Sequence, residues 1–243
     1  MDLKTILERL AAALEHVDRT ATTINKSNQG HSYLPGFFSL YEPQQVEALF
    51  LAWEKLYPEE PISIELEVNY PTNRRTKCDA CLRFKDELLT ADNQLYDWAL
   101  ELKYLRSIGD NGKKNDFFVG KAVSPYLHER SSVLDAHRLS EEIHRNQLAK
   151  RAAVIMYGFE FGTDVVEYAD SICERLGDYG RSDELKKTVD SFGGDLNLDP
   201  IIPLFDLAAG QFAKLSPAEV VEFGPLSRHP CALRGKLIGW EIW

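Results

Sequence analysis

The stretch that decides the fold is YDWALELKYLR, Tyr96 to Arg106. Read with the period of two that a β-strand imposes, Trp98, Leu100, Leu102 and Tyr104 share one face, and Ala99, Glu101, Lys103 and Leu105 the other. The first set is what a buried sheet face needs. The second sets a carboxylate and an ammonium side by side within an otherwise apolar segment. An acid, any residue, then lysine occurs at Asp2/Lys4, Glu101/Lys103 and Glu184/Lys186. The first and last fall in predicted helices, where residues i and i+2 do not face each other. Only Glu101 and Lys103 lie on a strand, where they project the same way. A solvated sheet face and a charged site for metal-assisted chemistry both accommodate such a pair.

The segments upstream bear on that choice. TKCDACLRF (Thr76 to Phe84) puts Cys78, Ala80, Leu82 and Phe84 on one face and Lys77, Asp79, Cys81 and Arg83 on the other; ISIELEV (Ile62 to Val68) also alternates. Asp79 therefore stands on the charged face of the strand before Glu101, and pairing the two strands brings the carboxylates together. Clustered carboxylates raise each other's pKa unless a cation neutralises them. A small set of hard oxygen donors is what Mg²⁺ accepts, keeping its other positions for water and phosphate. Lys103, beside the acids and not a ligand, can orient water or offset charge developing on phosphate.

Further out, Leu3, Ile6, Leu7, Leu10, Leu14 and Val17 have the spacing of an amphipathic helix, followed by the turn-rich NKSNQGHSYLPG. This N-terminal stripe leaves packing within the chain and a homodimer both open. A second helix follows Pro43, with Val46, Leu49, Phe50, Trp53 and Leu56 on one face, and stops at Tyr57-Pro58. GDNGKKND (Gly109 to Asp116) is a polar loop. Ser132 and Asp135 have capping-box spacing at the start of a helix running to about Asn146. AAVIMYGFEF (Ala152 to Phe161) reads as a strand buried on both faces. Helices are expected over Val165 to Leu176 and Ser182 to Phe192, a short one opening at Ser216, and a last strand in KLIGWEIW. The expected class is α/β: a central mixed sheet flanked by helices, with added N-terminal and C-terminal helices. Residues 1–30 read as a helical extension and 31–243 as the α/β domain.

Asp79, the triplet Glu101-Leu102-Lys103 and a preceding helix carrying Glu47 resemble the PD-(D/E)XK nuclease superfamily. Its restriction-endonuclease-like core has the order helix–strand–strand–strand–helix–strand. Here that order runs from about residue 43 to 161 and leaves both flanks uncovered. The resemblance implies that Asp79, Glu101 and the carbonyl of Leu102 bind Mg²⁺, with Mn²⁺ as substitute. It further implies that Lys103 acts beside the hydrolytic water and that Glu47 assists, with Glu54 as the alternative and Glu67 a weaker one. Cys78 stands where the family has proline. The implied activity is phosphodiester hydrolysis in nucleic acid, by a DNA endonuclease of restriction or defence type. The rival expectation is a catalytically silent nucleic-acid-binding or interaction protein on the same fold. Lys113, Lys114, Arg138 and Arg145 are the cations expected against the nucleic-acid backbone.

The net charge of −10 speaks against a broad polyanion-binding surface, but its distribution is uneven. Between Arg74 and Arg151 there are 15 Lys and Arg against 12 Asp and Glu, so positive charge gathers around the stretch in question. No basic leader into an apolar stretch and no apolar run of ~20 residues is present, and with four cysteines the expectation is a cytoplasmic chain with reduced thiols and no membrane partner. Cys78 and Cys81 form CxxC, but on a strand i and i+3 diverge, and His229-Pro230-Cys231 is spaced too tightly for a usual zinc pair, so zinc is not expected. GDNGKKN lacks the spacing of a phosphate-binding loop, and no nucleophile elbow is present.

Overall fold

The computed structural model describes residues 1–21, 36–84, 95–108, 114–115, 118–124, 131–145, 147–176, 179–229 and 232–243. Its strands are β1 (Ile62–Asn69), β2 (Lys77–Phe84), β3 (Tyr96–Tyr104), β4 (Ala149–Glu160), β5 (Glu219–Phe223) and β6 (Arg234–Ile242). They form one open sheet in the order β1-β2-β3-β4-β6-β5. β3 and β4 run parallel and the other neighbours antiparallel, so the sheet is mixed as expected. The helices are α1 (Leu3–Thr20), α2 (Glu42–Leu56), α3 (Phe118–Val123), α4 (Ser132–His144), α5 (Val165–Leu176), α6 (Tyr179–Ser191) and α7 (Ile201–Ala209). Among the described residues no helix is long and apolar enough to cross a membrane.

Helices lie on both faces because the central strands are apolar on both. Leu100, Leu102, Ala153 and Ile155 join one core with α1 and α2; Ala99, Ala152, Val154 and Met156 join another with α4 and α7. α1 buries Ile6, Leu7, Leu10 and Leu14 along one stripe, is capped by Asp2, and packs on α2, β5 and β6. Near its end the buried carboxylate of Asp18 accepts from Phe37 N (3.1 Å) and Ser227 N (3.2 Å). One side chain thereby ties α1 to the 3₁₀ turn Phe37–Ser39 and to the C-terminal part of the chain.

The β1–β2 hairpin is not regular. Leu66 pairs with Ala80 and Val68 with Cys78, but between them Glu67 adopts a left-handed backbone with φ 54°. Such a residue bends and twists the strand it interrupts. Before the bend Leu66 and Ala80 belong with the α1/α2 core; beyond it Val68, Tyr70 and Cys78 belong with the α4/α7 core. This corrects the expected alternation of β2: Cys78 and Cys81 do not diverge but are buried in the same core.

Other expectations also need correction. Ser131, not Ser132, caps α4 by accepting from Leu134 N, which frees Asp135 from a capping role. No helix opens at Ser216. Its backbone N–H donates to Glu241 O and its hydroxyl accepts from Glu241 N, so pairing with β6 outcompetes helix formation and leads the chain into β5. α7 went unforeseen although Ile201, Phe205 and Ala209, its buried residues, have helical spacing. The connection at residues 85–94, most of the turn-rich 25–36, and Cys231 lie outside the described residues.

Asp18→Ala leaves the buried Phe37 N–H and the partly buried Ser227 N–H without their acceptor, a buried group left so costing about 1–3 kcal/mol. The expected result is a loss of about 3 kcal/mol in urea unfolding with no change in slope; a loss indistinguishable from that of an exposed-site alanine would mean the tie is not structural.

Candidate functional site

β3 sits between two unequal ladders. It pairs with β4 from Tyr96↔Ala149 to Tyr104↔Tyr157, but with β2 only at Ala80↔Leu100, Cys81↔Ala99 and Leu82↔Trp98. Beyond that point side chains take over: Asp79 Oδ2 accepts from Leu102 N at 2.8 Å, and the Cys78 thiol reaches Leu100 O at 3.3 Å. In an extended strand a residue's N–H and C=O point toward the same neighbour, so the Leu102 carbonyl faces the same parting. A cavity of about 810 Å³ opens there, lined by Asp79, Glu101, Leu102, Lys103, Asp135 and Arg138, with Glu42 and Glu47 of α2 across from them.

Within it, the Asp79 and Glu101 carboxyls lie close enough to influence each other's protonation. Glu101 is 6% exposed, and its Oε1 also accepts from the hydroxyl of the fully buried Tyr70. Arg138 reaches Glu101 at 3.9 Å and Asp135 at 3.4 Å, with its guanidinium over the Tyr70 ring. Lys103 lies 3.6 Å from Glu42, whose Oε1 also accepts from Tyr104 N. The expected trio of Asp79, Glu101 and Lys103 thus meets in one cavity, and Glu47 and Arg138 line it too. Glu54 does not. Arg145 is paired with Glu141 at the end of α4, and Lys114 sits over the Phe192 ring; neither lines the cavity. Lys113 lies outside the described residues.

Desolvation dominates the electrostatics. Burial, then repulsion from Asp135 and Asp79, holds the Glu101 carboxyl well above its usual range, against the Tyr70 hydrogen bond. Burial also raises Asp79, partly offset by the Leu102 N–H. Asp135 is pushed up to about 6 by burial, although Lys103 and Arg138 pull it down. Burial opposes the Lys103 ammonium, yet Glu42, Asp135, Asp79 and Glu101 together keep its pKa above the ordinary value. Carboxyls crowded together and drawn out of water hold their protons more readily, and a cation in the proton's place removes that cost.

The available donors are oxygens: the carboxylates of Asp79 and Glu101, each with one oxygen already held by Leu102 N–H or the Tyr70 hydroxyl, and the Leu102 carbonyl. Among the described residues no group of three or more His, Cys, Asp or Glu is arranged to hold a metal. Two carboxylates and a carbonyl suit a hard ion that keeps most of its water, as Mg²⁺ does. His229 directs Nδ1 to Ala232 N–H and packs on Phe38 and Phe159, an arrangement of the core.

The sequence reading missed Tyr70, Asp135 and Glu42. Asp135 reads from sequence as part of a cap; its i, i+3 relation to Arg138 is the available signal. Tyr70 had none, since only the bend at Glu67 turns it beneath α4. Comparison with protein-family models, curated proteins and solved structures returns no match, so the chemistry of the site must carry the functional reading.

Because these acids have raised pKa values when folded, the folded chain holds protons that the unfolded chain has released. Stability is therefore greatest below the ordinary carboxylate range and falls as pH rises, over the interval from 3.8 to about 6 for Asp135. Asp135→Asn is expected to flatten that interval in urea unfolding without added metal. A pH profile of unchanged shape would show that Asp135 titrates like an exposed carboxylate.

Proposed function

We propose that the protein is a divalent-metal-dependent nuclease with a restriction-endonuclease-like core, hydrolysing phosphodiester bonds in nucleic acid, with DNA as substrate. The observation that carries this reading is the Asp79–Glu101 pair in the parting of β2 and β3, with Lys103 in the same cavity. The order α2, β1, β2, β3, α4, β4, with short α3 inserted, supports the core assignment.

Asp79, Glu101 and the Leu102 carbonyl would hold Mg²⁺ or Mn²⁺. A cation bound there supplies Lewis-acid polarisation of a phosphate oxygen and makes water more acidic. The chain's own residues do the rest. Tyr70 fixes one oxygen of Glu101 and leaves the other toward the cavity. Asp79 spends one oxygen on Leu102 N–H, which sets its orientation. Lys103, kept protonated by its acidic neighbours and steered by Glu42, presents positive charge where a phosphate gathers negative charge. Glu47, across the cavity, is placed to hold water.

The competing reading, a non-catalytic binder on the same fold, draws on Arg138, whose guanidinium 3.9 Å from Glu101 is an internal counter-charge. Cleavage of plasmid and oligonucleotide DNA with Mg²⁺, followed in parallel with metal-induced thermal stabilisation, separates the two. Asp79→Asn is expected to lose metal stabilisation and cleavage together. Lys103→Ala should lose about 10²–10³-fold in turnover with the metal-induced shift retained. Tyr70→Phe, which keeps the ring under Arg138, should weaken metal affinity about 10-fold through a loosened Glu101. Wild-type protein that is neither stabilised by metal nor cleaves would favour the binder, and equal cleavage by all variants would trace the activity to another source.

A further inference from the structure

The turn joining β1 to β2, residues 71–76, is built stiffly. Tyr70 N donates to Thr76 O, Asn73 N to Tyr70 O, Thr76 N to Asn73 O and Arg75 N to Asn73 Oδ1. From behind, Glu142 of α4, itself 1% exposed, accepts from Thr72 N at 3.2 Å and from the Thr72 hydroxyl. At its tip this turn exposes Arg74 and Arg75, and Arg75 stands on the cavity wall.

The charges around the cavity give these arginines a role. Six carboxylates line it (Glu42, Glu47, Glu67, Asp79, Glu101 and Asp135) against four cations. Lys103 is engaged with Glu42, Arg138 with Glu101 and Asp135, and Lys77 with Glu67 at 2.7 Å. Arg75 is the lining cation with no ion pair among the described residues, and Arg74 beside it has none either. A polyanion is repelled by such a cavity unless cations at its mouth hold it. A rigid turn carrying two uncommitted guanidiniums supplies them without the entropy cost of ordering a loose loop.

We propose that the β1–β2 turn is a backbone clamp, in which Arg74 and Arg75 bind phosphates flanking the one that enters the cavity. This rests on the nuclease reading above and adds the surface by which the substrate is held. The turn also begins at Tyr70, the hydrogen-bond donor to Glu101, so the clamp and the acid pair share one short piece of chain. Lys114 and Arg145, away from the cavity, have no part in the clamp.

The test measures fluorescence anisotropy of labelled nucleic acid over a salt series, with Ca²⁺ in place of Mg²⁺ to prevent cleavage. The probes are duplex DNA, duplex RNA and the single strands of each. Arg74→Gln/Arg75→Gln should lower the log–log salt slope by about 1.8 on duplex DNA or about 1.4 on a single strand, from roughly 0.9 or 0.7 per lost contact. The probe showing that loss identifies the backbone held. Arg74→Lys/Arg75→Lys should restore most of the slope, and Lys114→Gln/Arg145→Gln should keep it. Metal-induced stabilisation should be the same in all, because among the described residues neither arginine is bonded to the acids; both are exposed and without an ion pair among the described residues, so folding is not at stake. A wild-type slope in the glutamine variant overturns the clamp while leaving the nuclease reading standing. Wild-type protein that binds none of the probes removes the nuclease reading and the clamp with it.

Discussion

The backbone N–H of Leu102 must bond to something, because β3 is covered on both faces and water is excluded from most of its length. On one side β4 satisfies the strand throughout; on the other β2 leaves after Ala80. Asp79 fills the deficit with a carboxylate oxygen. That single substitution of a side chain for a ladder partner fixes the place of the acid, turns its second oxygen toward Glu101, and keeps the two strands apart enough for a cavity. The bend at Glu67 is its counterpart on β1, since a regular hairpin would close the parting and carry Tyr70 to the opposite core.

Crowding carboxylates in a buried place works against stability, and the surroundings show how the cost is contained. Arg138 lies between Glu101 and Asp135, and Glu42 faces Lys103. Asp79 is further held by the Leu102 N–H and Glu101 by the Tyr70 hydroxyl. A hydrophobic filling of the same space would be more stable, so the cluster costs the fold stability that its internal partners only partly return.

Glu101, Lys103 and Asp79 were legible because β-strand geometry is strictly periodic and their neighbours Leu100, Leu102, Ala80 and Leu82 are apolar in phase. The mixed sheet followed from the order of segments. What escaped was decided by non-local competition. Ser216 and Pro217 carry a helix-start signal that loses to pairing with Glu241. Cys78 alternates correctly by count, yet one left-handed residue on the adjoining strand moves it to the other face. Asp135 satisfied a local pattern so well that its tertiary role was hidden, although Ser131 does the capping. Local rules describe elements; the site is made where elements interrupt one another.

The position of α1 bears on the order in which the protein is made. Its apolar stripe rests on β5 and β6, and Glu15 and Asp18 accept from Gly224 N and Ser227 N. α1 can rest on α2 close by in sequence, but the rest of its docking surface, β5 and β6, lies far downstream. β4, whose parallel pairing supports Glu101, is in turn flanked by β6. Contacts this distant in sequence form slowly. The acid cluster is thus buttressed by strands far downstream of its own residues, so that partly folded states lacking β6 carry the residues of the site without that support.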